Sequence, residues 1–357
     1  MIRALIFGWF YQQFRNIIIA VIYFKQKQSK SPRNLEPAIQ IGDHLISKLI
    51  HSPFSNIFFK FNRPRNMAIT IHNITFPTPI TFSSFKDDFS SIHSWLKLGC
   101  GGGCLKTILS ESRTGNPQPR IQRISVDGTD CLINALGLPG PGANALLDKI
   151  LNSPLPQHEC PIGFSIGGHS PEEYLAVFRT LENRLCRQEW HHYYYELNIS
   201  CPNTPTGKDM SQNPNLLEDL IKNIRKETSQ LISIKLSPDQ KDSNLHQTCE
   251  IIKQIPNTMI TIGNTQFRSC ESVKLDKESL SPGGGGLSGP LLFPRTLEMV
   301  QKLKQHQIPM IATGGISNYE DVKTILDAGA TLIGMATLLV TNPYKVPQII
   351  EKLKNNV

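Results

Sequence analysis

The sequence predicts an α/β fold, a (β/α)8 TIM barrel with a small N-terminal helical extension, and three observations lead there. From about residue 68, short β-rich runs alternate with helical stretches, the pattern of consecutive βα units around a parallel sheet. Eight such runs can be placed, the number that closes a barrel. Polar and glycine residues gather directly after the runs, where a barrel of this kind builds its active site. With 357 residues, 39% of them hydrophobic, the chain is long and apolar enough to bury the core this requires.

The runs are Ile80 to Ser83, Cys104 to Ile108, Ile162 to Ile166, Tyr193 to Ser200, Ile232 to Leu236, Met259 to Gly263, Pro309 to Thr313 and Thr331 to Met335. At or just past their ends stand Lys106 and Thr107, Asn198 and Cys201, Lys235, Asn264 and Thr265, Gly314 and Gly315, and Ala336 and Thr337. A Gly-Gly pair lets backbone amides approach a ligand closely. Barrels commonly bind phosphate after strands seven and eight, so a phosphorylated ligand or cofactor is implied. The tract SPGGGGLSGP (281–290) reads as a flexible loop.

The net charge of +8 is unevenly placed. Residues 1–66 hold ten Lys or Arg against Glu36 and Asp43, which accounts for all of it and leaves the rest formally neutral. That distribution argues against a nucleic-acid-binding barrel. It sets apart an N-terminal arm and cap (1–66) from a barrel domain (67–357). Residues 1–24 are rich in large apolar side chains, but Gln12, Gln13, Arg15 and Asn16 interrupt them, and the unbroken run Ile17 to Phe24 is short of the ~20 residues that span a bilayer. An interfacial helix with basic flanks fits better, making residues 1–30 a peripheral membrane contact; the alternative is a terminal helix packed on the barrel. Leu35 to Phe61 reads as one or two amphipathic helices forming a small cap.

Eight cysteines without a CxxC pair indicate a reducing, intracellular setting. Cys100 and Cys104 flank three glycines with no histidine at zinc spacing, so no metal site is expected.

The segment ELNISCPNTP (196–205) is the most informative. Asn198 and Asn203 each offer a donor and an acceptor, as a planar imide or amide substrate requires, and Cys201 stands between them on a Pro-stiffened loop. Its motif Asn198-Ile199-Ser200-Cys201-Pro202-Asn203 resembles the signature of the dihydroorotate dehydrogenases. So do KTILSESRTGNPQPRI (106–121), INALGLPG (133–140), IKLSPD (234–239), GGLSG (285–289), ATGGI (312–316) and GMAT (334–337), in the right order over about residues 68–357. Cys at position 201 resembles the soluble class 1 enzymes, whereas the basic, apolar arm is a trait of the membrane-associated, quinone-linked class 2.

The resemblance implies FMN-dependent oxidation of (S)-dihydroorotate to orotate in de novo pyrimidine synthesis, with Cys201 as catalytic base. It implies that Lys106, Asn134, Gly137, Leu138, Asn198, Asn203, Asn264 and Thr265 hold the substrate. Ser83, Lys106, Thr107, Asn198, Lys235, Gly289, Gly314, Gly315, Ala336 and Thr337 would contact FMN, with Lys235 at the flavin's electron-rich edge. Electrons would pass to a quinone or to fumarate, with the arm favouring quinone, and a homodimer is compatible with this reading.

Three departures stand out. Ser83-Ser84-Phe85 replaces a small-residue turn ending in glycine, Gly140 replaces an asparagine in the substrate loop, and GCGGGC (99–104) is unusually glycine-rich. Two other readings remain: an FMN oxidoreductase acting on another reduced pyrimidine or cyclic amide, which orotate binding would discriminate, and a catalytically silent barrel tethered to membranes, which would purify colourless.

Overall fold

The computed structural model describes residues 1–188, 190–199 and 213–355. An antiparallel hairpin, β1 (Ile69–Ile71) and β2 (Ile74–Phe76), leads into the barrel. The barrel strands are β3 (Ile80–Phe82), β4 (Gly103–Ile108), β7 (Ile162–Ile166), β8 (Tyr193–Leu197), β9 (Ile232–Leu236), β10 (Thr258–Ile262), β13 (Met310–Thr313) and β14 (Leu332–Met335). They close in the order β10-β13-β14-β3-β4-β7-β8-β9, every pairing parallel. The fold is the (β/α)8 barrel that the sequence predicts. Every residue of β7, β8, β9 and β10 is buried, as expected of strands covered by helices outside and by packed side chains within.

On β8 the alternation of side chains separates two environments. Tyr193 and Tyr195 face the outer helices, where both hydroxyls donate to Glu182 Oε2 at 3.2 and 2.5 Å. Tyr194 faces inward and packs with Phe76, Cys104, Met259 and Leu332 in an apolar plug across the lower barrel. Glu196, one pleat higher, sits above that plug. The glycine-rich run before β4 has a steric reason. A Cβ on Gly103, whose φ is +158°, would lie 2.3 Å from the Phe82 ring, so only glycine lets β4 lie against β3 here.

A four-stranded antiparallel sheet is inserted beside the barrel mouth, in the order β11 (Gln266–Ser269), β12 (Gly284–Ser288), β6 (Thr129–Asn134), β5 (Ile121–Val126). This corrects the reading of residues 281–290 as a flexible loop. Gly284–Leu287 are buried and paired with β11, and Gly286–Ser288 are paired with β6. The absence of a side chain at Gly285 and at Gly286 is what allows Asn134 and Thr265, respectively, to close over them.

The arm is a single unbroken helix, α1 (Ile2–Gln28), 27 residues and so about 40 Å long. By length and composition it could cross a membrane, although the polar residues at 12, 13, 15 and 16 argue for an interfacial helix. It also packs along the body of the protein, as the second reading of the arm expects. Gln348 Nε2 donates to Ala4 O, Tyr11 Oη to Val340 O and Arg123 Nη1 to Asn16 Oδ1, three levels of contact along one side. The other side exposes Trp9, Phe10, Phe14, Ile17, Val21 and Phe24. The cap follows as α2 (Glu36–Ile50) and α3 (Ser55–Phe59).

Two ion pairs fasten α2 across the mouth. Arg120 Nε lies 2.5 Å from Glu36 Oε1, and Lys86 Nζ 2.5 Å from Asp43 Oδ2. Gln118 Nε2 adds a 2.8 Å bond to Glu36, and Arg120 also donates to the carbonyls of Thr114 and Asn116. Burial pushes the Asp43 carboxyl upward and Lys86 pulls it back.

Gly103→Ala is expected to cost about 1–3 kcal/mol through overpacking, read as a lower melting temperature; an unchanged melting temperature would show that Phe82 can yield. Arg120→Ala should loosen the cap by on the order of 2 kcal/mol, below the ~3–5 kcal/mol of a fully buried pair. The check is limited proteolysis of residues 29–35, with faster cleavage expected while the barrel stays intact.

Candidate active site

The C-terminal strand ends converge on a cavity of about 1010 Å³ that reaches from the barrel mouth up between α1 and α2. On β4 the register with β7 slips between Leu105 and Ile108. In a regular strand Lys106 and Thr107 would point to opposite faces; the irregularity brings both to the cavity. Thr107 Oγ1 takes a 2.7 Å bond from Asn198 Nδ2 and lies 3.1 Å from Ser165 Oγ. Asn198 is 6% exposed, and its carbonyl accepts from Tyr174 Oη at 2.8 Å. Burial lowers the Lys106 pKa, with Asp87 opposing, so an anionic ligand would find a cation that is incompletely solvated.

The inserted sheet supplies the opposite wall. Asn134 ends β6 facing Gly286 of β12, and Asn264 and Thr265 follow β10; all three line the cavity. Gly137 and Leu138 line it too, with Leu138 at φ +54°, a left-handed conformation that costs a leucine of order 1–3 kcal/mol and is characteristic of ligand-shaping loops. Gly140 exchanges both backbone bonds with Arg113 at 2.8 Å, and a Cβ there would meet nothing within 4 Å. The loop therefore holds its shape by backbone pairing, and glycine at 140 is not a steric requirement.

Beyond β13 and β14 lies a set of unused donors. The N–H groups of Gly314, Gly315 and Thr337 donate to no backbone carbonyl among the described residues. Gly315, at φ +78°, packs against the start of the helix Phe293–Leu303, where a Cβ would come within 2.2 Å of Phe293 N. A close-packed turn with unpaired N–H groups suits an anionic oxygen cluster.

Of the residues singled out from the sequence, Lys106, Thr107, Asn134, Gly137, Leu138, Asn198, Lys235, Asn264, Thr265, Ala336 and Thr337 line this one cavity. Ser83, Gly289, Gly314 and Gly315 are not among its lining residues: Ser83 Oγ is engaged with Thr313 Oγ1 at 2.7 Å, and Gly289 turns at φ +126° beside Cys131. Cys201 and Asn203 lie outside the described residues.

Two polar residues escaped the sequence reading. Lys235 Nζ, in a side chain 6% exposed, donates to Ser84 Oγ at 2.8 Å, and Ser84 Oγ donates to Glu196 Oε1 at 2.7 Å. Period-2 alternation on YYYELN places Glu196 inward, a signal that was available but unused. Phe85 carries no positive φ and stacks on Trp95 with ring centroids 5.3 Å apart, so a non-glycine residue is tolerated in this turn, and both rings line the cavity.

The cap contributes Tyr11, Arg15, Ile18, Ile39, Ile46 and Leu49 to the upper cavity, which opens beside Phe10 and Phe14 on the exposed apolar face of α1. Burial lowers the Arg15 pKa.

Comparison with known proteins agrees with this architecture. The sequence pattern described as "Dihydroorotate dehydrogenase" matches residues 66–357. The catalytic subunit of dihydroorotate dehydrogenase B (NAD(+)) from Bacillus cereus strain G9842 is 34% identical over 261 residues, covering 71% of this chain and 79% of that protein. The subunit from Bacillus mycoides strain KBAB4 matches equally. Among solved structures, DHODH from Eimeria tenella in complex with ferulenol superposes with a TM-score of 0.73 at 22% identity, covering 90% of this chain and 92% of that one. That span exceeds residues 66–357 and so takes in part of the cap. A barrel matched from end to end, with a mouth built from the residues of its motifs, places this chain in the dihydroorotate dehydrogenase family.

Proposed function

We propose that the chain is an FMN-dependent dihydroorotate dehydrogenase of de novo pyrimidine synthesis that passes its electrons to a membrane quinone. In this reading residues 1–66 are the cap and membrane contact, and residues 67–357 are the catalytic domain. The observation that carries it is the cavity itself: one space joins a polar floor at Lys106, Asn198 and Lys235 to an apolar roof between α1 and α2.

The residues present suit FMN. The unpaired N–H groups of Gly314, Gly315 and Thr337 match its phosphate, and Lys235 and Asn198 stand where a flat ring would cross the strand ends. FMN, when bound, supplies the acceptor for the hydride that leaves C6 of dihydroorotate. The protein's part is to orient and to move a proton. Asn134, Asn198, Asn203, Asn264 and Thr265 satisfy the ring amides, the main chain of Gly137 and Leu138 shapes the pocket, and Lys106 faces the carboxylate. Cys201 takes the proton from C5, leaving the C5–C6 double bond of orotate. A free thiol titrates near ~8.5, so the base depends on surrounding amides and cations to favour its thiolate.

The two electrons then reduce a quinone, with two protons taken up to give the hydroquinone. The cavity opens on the apolar face of Trp9, Phe10 and Phe14, and the basic residues Lys25, Lys27, Lys30 and Arg33 lie beyond it, an arrangement suited to an interface with anionic lipid. The Bacillus relatives are named for NAD(+); the cap is the reason to assign this chain a different acceptor.

Cys201→Ala should retain the bound flavin spectrum and slow flavin reduction by dihydroorotate at least ~10²-fold, the scale of a positioned base; near-normal reduction in stopped flow would remove the residue from that role. Ile39→Trp, which fills the upper cavity, should leave that half-reaction unchanged and lower steady-state turnover with a quinone in liposomes at least tenfold. Equal turnover of the unmodified protein with fumarate and without quinone would overturn the acceptor assignment.

A further inference from the structure

Glu196 is a carboxylate in the barrel interior, 2% exposed, for which the chemistry above has no use. Beneath it are Tyr194, Cys104 and Phe76, and a charge there is costly unless it is partnered. Its partner is indirect. Lys235 Nζ and Glu196 Oε1 are 4.0 Å apart, and the Ser84 hydroxyl sits between them, accepting from the ammonium at 2.8 Å and donating to the carboxylate at 2.7 Å. Two buried opposite charges attract strongly over this distance, so a hydroxyl wedged between them works as a spacer.

The groups facing this relay come from several strands. Thr261 is paired with Lys235 in register, and its hydroxyl is taken by Ser233 at 2.8 Å. Cys104 approaches Glu196 from β4; burial first and then the neighbouring carboxylate push its thiol far up, so it is a neutral donor. Tyr194 is raised too, by burial first, then by Cys104 and Glu196. Lys235 is therefore the cation of this layer, and Ser84 and Lys235 both line the cavity floor.

We propose that Glu196 and Ser84 are positioning residues that set the flavin's electron affinity by holding the Lys235 ammonium at a fixed distance from the cofactor and from its own counter-charge. The inference rests on the FMN reading above. Glu196 moderates the cation, and Ser84 prevents the direct ion pair that would draw the ammonium down into the barrel and away from the ring.

The two residues predict opposite signs, which loss of structure alone does not. Glu196→Gln removes the negative charge and should raise the two-electron midpoint potential of the bound flavin by at least a tenfold change in the equilibrium constant, about 30 mV. Ser84→Ala lets Lys235 reach Glu196 and should lower it, and Ser84→Thr, which restores a hydroxyl, should return it toward the unmodified value. Shifts of the same sign in the Gln and Ala variants, or no shift in either, would overturn the proposal. A crystal structure of flavin-free Ser84→Ala reads the relay without the cofactor: Lys235 Nζ in direct contact with Glu196 is expected, and an unchanged separation would refute the spacer. Failure of the unmodified protein to take up FMN would sink the cofactor reading while that crystal structure still decided the relay.

Discussion

Closure of the parallel barrel is the constraint on which everything else rests. Eight strands pair side by side in a closed ring, all running the same way, and that parallel arrangement delivers every C-terminal end to one mouth. Residues as distant in sequence as Lys106 and Thr337 line a single cavity for that reason. Closure also imposes local demands. Gly103 must be small because Phe82 occupies the seam between the first two barrel strands, and the lower barrel must be filled, which Phe76, Tyr194 and Met259 do.

The floor of the mouth is polar in a molecule whose strands are otherwise apolar, and several of its polar groups are partnered within the barrel. Thr107 and Asn198 bond to one another, Ser83 to Thr313, and Lys235 to Ser84 and through it to Glu196. Such a floor stays rigid because a buried donor or acceptor that loses its partner incurs most of its desolvation cost. Rigidity of this kind is what a site needs to hold a planar ring against a planar cofactor. The bulge on β4 and the left-handed Leu138 are the local distortions that aim side chains and main chain into it.

The cap is a separate element made continuous with the site by charge. Glu36 and Asp43, the two carboxylates within an otherwise basic N-terminal region, are both spent on barrel cations, Arg120 and Lys86. Their pairing leaves the apolar faces of α1 and α2 to form the roof of the cavity and an exposed patch beside its opening. The fold thus joins the polar mouth of the barrel and the helical cap around one space.

What the sequence determined by itself was the strand pattern and the motif set. Hydrophobic runs and their polar ends are local, so the eight barrel strands could be placed to within a residue or so, apart from the C-terminal end of β8, whereas β5, β6, β11 and β12 were not, and most of the candidate residues proved to share one cavity. What only the tertiary structure decided were matters of distance along the chain. Gly284–Ser288 reads locally as a loop and becomes a strand because two others flank it. An arm with four polar interruptions is one helix packed on the body through Ala4, Gly8, Tyr11 and Ile19, with Gln13 and Asn16 left exposed. Ser84 and Glu196, 112 residues apart, meet only when the barrel closes, and no period or propensity encodes that contact.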